Sequence, residues 1–330
     1  MNEKELKKYL SVIKRAVSLI ENMLDEKTKV EFEAIVEIPE IDYAKQKEEE
    51  LRAKEEEARL KEEELRIIEE QRVARKKHIN DLMSIDCWPE SVPNFLVNKE
   101  VSEKDQINRA NAVLDMTLDK TLEGLNFLDF GCGDGWIAEE AKNRGASESF
   151  GYDILKSDNW INLKNAIYTN DYSILKKDNF DVIMLYDVLD HCHDPIELMG
   201  QVRECLRKDG VVYVRCHPWT SKHANHLYKN GINKSYIHLF LNYHEIYDLT
   251  ENAPLFTRIE KYPLRAYHYW FSNFNISKER FIKESVSEFF FVPSFKELLA
   301  YEQKIPINQI DDFLNTMAIQ FIDYKLKAKN

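Results

Sequence analysis

A chain of 330 residues with net charge −12 and a pI near 5.4 lacks the cationic excess of a protein that grips nucleic acid over many phosphates, so that class is disfavoured. Its five cysteines, Cys87, Cys132, Cys192, Cys205 and Cys216, contain no C-x-x-C pair; no zinc ribbon or disulfide framework follows, and free thiols in a reducing compartment are expected. The opening MNEKELKKYL has no apolar signal core and no apolar run reaches the roughly 20 residues of a membrane span, so a soluble cytoplasmic protein without a membrane partner is expected.

Residues 1–41 read as a helix and a strand. Leu6, Leu10, Ile13, Val17, Ile20 and Leu24 recur at three or four residues, as a helix with one buried face requires, and Val30 to Ile38 largely alternates apolar and acidic residues up to Pro39. Residues 42–85 read as one long charged helix. From Glu48 the sequence repeats every seven residues, with Leu51, Ala58 and Leu65 in one stripe and Ala53, Leu60, Ile67 and Ala74 in another. Two positions of a heptad that lie two residues apart face nearly opposite ways, which is not a coiled-coil seam. Glu48/Arg52, Glu50/Lys54, Glu55/Arg59, Glu57/Lys61 and Glu62/Arg66 are i,i+4 pairs worth roughly 0.2–0.5 kcal/mol each. A solvated spacer is the first reading and a homo-oligomeric coiled coil the second.

Residues 86–290 carry the alternating pattern of an α/β domain. Trp88 to Val97, with Pro89 and Pro93, reads as an irregular linker, and Ser102 caps a helix running to about Leu118. Short apolar runs at 127–130, 148–152, 166–168, 180–185 and 211–215 read as strands with helices between them. This order predicts a doubly wound, mostly parallel sheet with helices on both faces. Asp194 as N-cap, Pro195 and Glu197 mark one helix start, Ile196, Met199, Val202 and Leu206 form its stripe, and Gly210 reads as its stop. The aromatic stretches 236–247 and 256–274 are expected to complete the sheet and roof the pocket. Residues 291–330 read as a C-terminal helical extension, with Ile310, Phe313, Leu314, Met317, Phe321 and Tyr324 at helical spacing.

The stretch NFLDFGCGDG, Asn126 to Gly135, organises this pattern. Three of the nine glycines, Gly131, Gly133 and Gly135, fall at alternate positions directly after an apolar strand and before a helix. Bare backbone, helix N-terminal N–H groups and a carboxylate then meet at one point, as in a nucleotide-cofactor site. A dinucleotide fingerprint places its third glycine one residue later; D-x-G-x-G-x-G from Asp129 to Gly135 resembles motif I of the class I S-adenosylmethionine-dependent methyltransferases. The resemblance covers about Asn126 to Pro218. It implies S-adenosylmethionine as cofactor, with Asp129, Gly131, Cys132, Gly133 and Gly135 under its methionine part.

Asp153, at the end of the second strand and about twenty residues past the glycine loop, is placed to accept both ribose hydroxyls. In Asn170-Asp171-Tyr172 the resemblance implies that Asp171 and Tyr172 contact adenine. The stretch FDVIMLYDVLDHCHDP resembles the family's next motifs, and Asp187, Asp190 and His191 repeat the acid-x-x-acid-His order of the ubiquinone-type O-methyltransferases, where it is associated with a divalent metal. Both acids are the shorter Asp, and metal is the less favoured reading; the trio serves equally as a base, an acceptor contact or local turn bonding. His217, His223 and His226 follow the fifth strand, at the edge where open α/β sheets bind substrates. The catalytic candidates are His191, His217 and Asp187.

Neither an N-P-P-Y/D-P-P-Y run nor a Pro-Cys dipeptide occurs, which demotes methylation of DNA bases. The expected function is methyl transfer from S-adenosylmethionine to a small molecule or a protein side chain. The alternative is a methyltransferase-like adaptor of a larger, phage-type assembly that meets a protein partner through residues 1–85.

Overall fold

The computed structural model describes residues 11–12, 14–16, 18, 43–93, 101–222, 224, 226–249 and 261–329. Outside them lie the apolar stripe of the first helix, the strand expected at 30–38, His223 and Phe256, the first aromatic residue of 256–274. Ser11, Val12, Lys14, Arg15, Ala16 and Ser18 are helical. The chain divides into two units, residues 1–74 and 75–330.

Helix α1 (Tyr43–Met83) is held by its own side chains. Every residue from Lys47 to Ala74 is exposed. Arg52 donates to Glu48 at 2.6 Å and Lys61 to Glu57 at 2.7 Å, the expected i,i+4 pairs, whereas Arg59 and Arg66 turn to Glu56 and Glu63 one residue nearer, at 2.7 and 2.6 Å. Only its last turn is apolar enough to bury: Ile79 and Leu82 join Trp88, whose indole N–H donates to Ser235 O at 2.7 Å. Trp88 to Pro93 has no regular structure, as expected of a linker, but Trp88 is anchored in a core with Phe240 and Phe290.

Helix α2 (Glu103–Thr117) begins at Ser102, whose side chain accepts from Asp105 N while Asp105 reaches back, closing a capping box. Then come β1 (Asn126–Phe130), α3 (Trp136–Asn143), β2 (Glu148–Tyr152), β3 (Ile167–Thr169), β4 (Phe180–Tyr186), α4 (Pro195–Cys205) and β5 (Leu206–Cys216). They are followed by α5 (Tyr243–Leu249), α6 (Leu264–Trp270), β6 (Phe274–Lys283), α7 (Pro293–Gln303), α8 (Ile310–Met317) and β7 (Ile319–Ala328). The seven strands form one sheet in the order β3-β2-β1-β4-β5-β7-β6, the first five parallel and β7 antiparallel to both β5 and β6.

Strand periodicity assigns the cores. Phe127, Val182, Met184, Val211 and Tyr213 face α2 and α3, while Leu128, Ile183, Leu185, Val212 and Val214 face α4 and α6. This two-sided burial is what a parallel sheet covered by helices demands. A third core joins Trp88, Leu239, Phe240, Phe290, Leu299 and Leu314.

Three expectations change. Helix α4 stops at Cys205, not at Gly210: Leu206 already pairs with Phe180 of β4, and Asp178 and Asn179 N–H groups donate to Glu204 and Cys205 carbonyls. Between the Phe180↔Leu206 and Val182↔Val211 pairs the register shifts, and a Cβ on Gly210 would lie 2.6 Å from Leu206 Cδ1, so the glycine permits an irregularity in a strand. The 291–330 extension is not wholly helical. Phe321 and Tyr324 sit on β7, where Ile322, Tyr324 and Leu326 are buried and Asp323, Lys325 and Lys327 alternate with them. The sheet is completed by β6 and β7 rather than by the 236–247 stretch, whose Tyr236 and Phe240 join the third core. Among the described residues no helix is long and apolar enough to cross a membrane.

Candidate functional site

The glycine loop is fixed by its two neighbouring strands. Gly131 and Cys132 N–H groups both donate to Tyr152 O, at 2.7 and 2.9 Å, which pins the start of the loop to the end of β2. Gly131, Gly133 and Gly135 have φ of +87°, +50° and +88°, left-handed values that L side chains avoid. Space imposes a further demand at Gly131, where a Cβ would lie 2.4 Å from Val188 Cγ2. The loop after β1 and the loop after β4 therefore touch at a point where no side chain fits. Asp153 Oδ2 accepts from Gly133 N at 2.8 Å, and Trp160 Nε1 donates to Gly133 O at 2.8 Å, so the tip of the loop is held from the β2 side.

Asp129 is the outlier. It is 1% exposed and neither carboxylate oxygen has a hydrogen-bond partner. Burial first, and then the charge of Asp153, push its carboxyl up to about 8. A buried carboxyl without a hydrogen-bond partner fits a ligand whose positive charge favours its ionised form, and the sulfonium and ammonium groups of S-adenosylmethionine bring one. Asp153 stands at the end of β2 beside the exposed Ile154 and Leu155, a carboxylate next to apolar side chains as an adenosine group needs.

The other sequence candidates divide. Cys132 contributes its backbone, while its thiol packs so closely over β2 that a Cβ on Gly151 would lie 2.9 Å from Sγ; burial, with the charges of Asp129 and Asp153, pushes that thiol far above its ordinary value. Asp171 Oδ1 caps its own turn, accepting from Ser173 N at 2.9 Å and Ser173 Oγ at 2.7 Å, and the residue is exposed. Tyr172 sends its hydroxyl to Gln201 O at 3.1 Å, on α4, and its ring packs edge-on to Tyr152 at 6.0 Å.

The loops after β4 and β5 gather charge. Asp187, at φ +54°, donates its N–H to Arg215 O at 2.8 Å, an unusual conformation for a non-glycine residue at the end of a strand. Its Oδ2 lies 3.5 Å from His217 Nε2, and His217 Nδ1 lies 3.0 Å from Gln320 O. A carbonyl only accepts, so Nδ1 carries a proton and Nε2 is left facing the acid. Burial opposes ionisation of both groups, yet their mutual attraction prevails: Asp187 is held below and His217 above its ordinary value. Each group thus favours the charged form of the other.

Beside it, His191 Nε2 lies 3.5 Å from Asp190 Oδ2. Burial pushes Asp190 up to about 6, against the pull of His191. His226 completes the cluster: its ring stacks on His191 at 5.6 Å and meets His217 edge-on at 5.7 Å. Burial, then Lys229 and the two other rings, lower His226 to about 2, so it stays neutral. Among the described residues no group of three or more His, Cys, Asp or Glu side chains is placed to hold a metal ion.

Sequence reasoning singled out His191, His217 and Asp187, which the fold brings together, but gave no role to His226 or Gln320. His226 had a signal, as the third histidine within ten residues of His217. Gln320 had none locally, because it reaches His217 only through the antiparallel pairing of β7 with β5. Tyr262 was likewise missed; its hydroxyl lies 3.1 Å from both Cys192 O and His193 O and so ties down the loop that carries His191.

A mitochondrial ubiquinone biosynthesis O-methyltransferase of Dictyostelium discoideum is 24% identical over 113 residues, 28% of this chain and 35% of that protein, so the match spans about a third of the curated relative. Among solved structures, S-adenosylmethionine-dependent methyltransferases of Archaeoglobus fulgidus and Mesorhizobium loti align with TM-scores of 0.40 and 0.39, each at 16% identity, covering 68% and 66% of this chain and 94% and 95% of theirs. Residues 102–276, more than half of the chain, match the family model described as a methyltransferase domain, and the chain belongs to that family.

Proposed function

We propose that the protein transfers a methyl group from S-adenosylmethionine to a small molecule or a protein side chain. The observation that carries this reading is the buried carboxylate of Asp129, without a hydrogen-bond partner, at the root of a loop of left-handed glycines. When bound, the cofactor supplies a methyl group on a sulfonium: the acceptor's lone pair forms the new bond to carbon, the sulfur–carbon bond breaks with its electron pair going to sulfur, and the acceptor's proton passes to the protein.

His191 is the ring best placed to take that proton. Its side chain is 18% exposed against 3% for His217, and the Asp190 carboxyl lies 3.5 Å from its Nε2. The Asp187–His217 pair lies beside it, with the His217 imidazole held above its ordinary value by the Asp187 charge. Asp129 offers countercharge to the bound cation, and Asp153 offers oxygens to the ribose. Positioning supplies much of the rate in such a transfer, since the leaving group is already activated.

Calorimetric titration with S-adenosylmethionine, followed by isotope-labelled methyl transfer to acceptors in a cell extract, tests the reading. Asp153→Ala is expected to weaken cofactor binding by about 1–3 kcal/mol. No heat with the parent protein, or equal affinity in parent and variant, would count against it. We also read residues 1–85 as the partner-binding part, because Leu51, Leu60, Leu65, Ile67 and Ile68 are exposed along α1; sedimentation of a peptide covering 42–85 over a range of concentrations separates a partner for another protein from self-association.

A further inference from the structure

Three consecutive carbonyls of the glycine loop accept from side chains of one short stretch, Ser157 to Tyr168. Trp160 Nε1 donates to Gly133 O at 2.8 Å and Asn159 Nδ2 to Asp134 O at 2.8 Å, while Ser157 Oγ adds a bond to Asp134 Oδ1 at 2.8 Å. The Tyr168 hydroxyl proton is shared between Gly135 O at 3.2 Å and Glu139 Oε2 at 2.8 Å. These donors are themselves set in place. The Trp160 ring is buried and stacks on that of Tyr168, with centroids 5.8 Å and planes 23° apart. Glu139, in the first turn of α3, also accepts from the Lys164, Asn165 and Ala166 N–H groups, which fastens the far end of the stretch to the helix that the loop begins.

A trans peptide is planar, so its N–H points away from its C=O. The bond to Gly133 O therefore fixes the direction of the Asp134 N–H, and the bond to Gly135 O fixes that of the Trp136 N–H. Neither N–H has a hydrogen-bond partner among the described residues, whereas the Gly135 N–H donates to Cys132 O at 2.9 Å and the Gly133 N–H to Asp153 Oδ2 at 2.8 Å. Peptides next to glycine turn at little steric cost, so their orientation is decided by what holds the carbonyls. Two donors at the start of α3 are thus aimed away from the stretch that grips them. Such donors suit an anionic oxygen, and the buried Asp129 carboxyl at the root of the same loop suits a cation. The methionine part of S-adenosylmethionine brings both, a carboxylate and positive charge.

We propose that Asn159, Trp160 and Tyr168 are positioning residues for the cofactor: they hold the loop peptides so that the Asp134 and Trp136 N–H groups meet the carboxylate of its methionine part. This rests on the methyltransferase reading. The three side chains act through the backbone and need no contact with the cofactor. Ile161, in the same stretch, is 86% exposed and grips no loop carbonyl, so it separates the effect of the three donors from that of the stretch as a whole.

The full chain and its Trp160→Phe, Tyr168→Phe and Ile161→Ala variants are titrated calorimetrically with S-adenosylhomocysteine and with methylthioadenosine, which keeps the adenosine and the sulfur but lacks the amino-acid end. Each phenylalanine variant keeps an aromatic ring and loses one donor, and melting curves report whether it folds; if one does not, the other decides. Both are expected to weaken S-adenosylhomocysteine binding by about three- to tenfold, the worth of one hydrogen bond, and to leave methylthioadenosine affinity within about twofold. Ile161→Ala is expected to change neither. A purely structural role would lower both affinities together, or only the melting temperature. Unchanged S-adenosylhomocysteine affinity in the folded phenylalanine variants, or an equal loss for the two ligands, overturns the proposal. Failure of the parent protein to bind either ligand overturns the methyltransferase reading on which it rests.

Discussion

The helix from Lys47 to Ala74 and the loops around Asp187 and His217 are built from the same chemistry, carboxylates facing cations, and differ in where water is. The Glu48–Arg52 pair is 62% and 74% exposed, while Asp187 and His217 are 18% and 3% exposed. In the first case solvent screens the attraction and the side chains lose entropy to meet, so each pair contributes little and the row as a whole keeps a helix formed. In the second, each charge would be expensive alone, and each shifts the other's titration. The shorter contacts are on the exposed helix, at 2.6 Å against 3.5 Å, so distance alone is a poor guide to which charges matter.

The largest expected effect separates the two regions directly. Asp187→Ala should destabilise the fold by about 3–5 kcal/mol, because it leaves the buried His217 ring without the carboxylate that faces its Nε2, and Asp187→Ala with His217→Leu should be less destabilised than the sum of the two single changes. Chemical denaturation of the four proteins measures this; additive costs would show that the pair is not coupled.

Next comes pH. Asp129 has its carboxyl raised to about 8, so below that pH the free protein keeps the proton that the unfolded chain gives up near 3.8. The sign follows: this group lowers the free protein's stability as pH rises from about 4 to 8, and a bound cation that favours the carboxylate expels the proton. Cofactor affinity should therefore strengthen with pH up to about 8, approaching tenfold per unit. Titrations at pH 6, 7 and 8 decide it, and a flat profile would show that the cofactor's charge does not meet Asp129. The smallest effect is on the helix: Lys61→Ala, which removes the contact to Glu57, should cost roughly 0.2–0.5 kcal/mol and leave cofactor binding untouched. A loss several times larger would mean that these charges have partners beyond their own helix.

What the sequence disclosed follows the same division between local and distant causes. The glycine spacing, the Ser102 and Asp194 caps and the apolar runs of β1, β2 and β4 are local, and each element formed where the pattern placed it. Asp187, His191 and His217 were legible because two of them share a loop and the third follows the next strand of a predictable order. The failures came from sequence-distant pairing. Gly210 reads as a helix stop only if the following strand is ignored, and the run from Ile319 to Ala328 alternates apolar and polar residues as a strand does, a signal hidden by reading it as the continuation of α8. The motif did not disclose the local bonds that hold Asp171 and Tyr172 in place, the turn bond to Asp171 Oδ1 and the Tyr172 hydroxyl's bond to α4.

The insertion of β7 between β5 and β6 also sets the order in which the site is assembled. Strand β6 has no neighbour in the sheet except β7, and β5 has only β4 until β7 arrives. His217 is made about a hundred residues before Gln320, the residue whose carbonyl faces its Nδ1. During synthesis the cofactor loop, β1 to β5, is complete while the imidazole that faces Asp187 still lacks its anchor, since a vectorially emerging chain folds its early parts first. The nascent protein therefore holds the elements of its cofactor loop before it holds the carbonyl that faces the His217 ring.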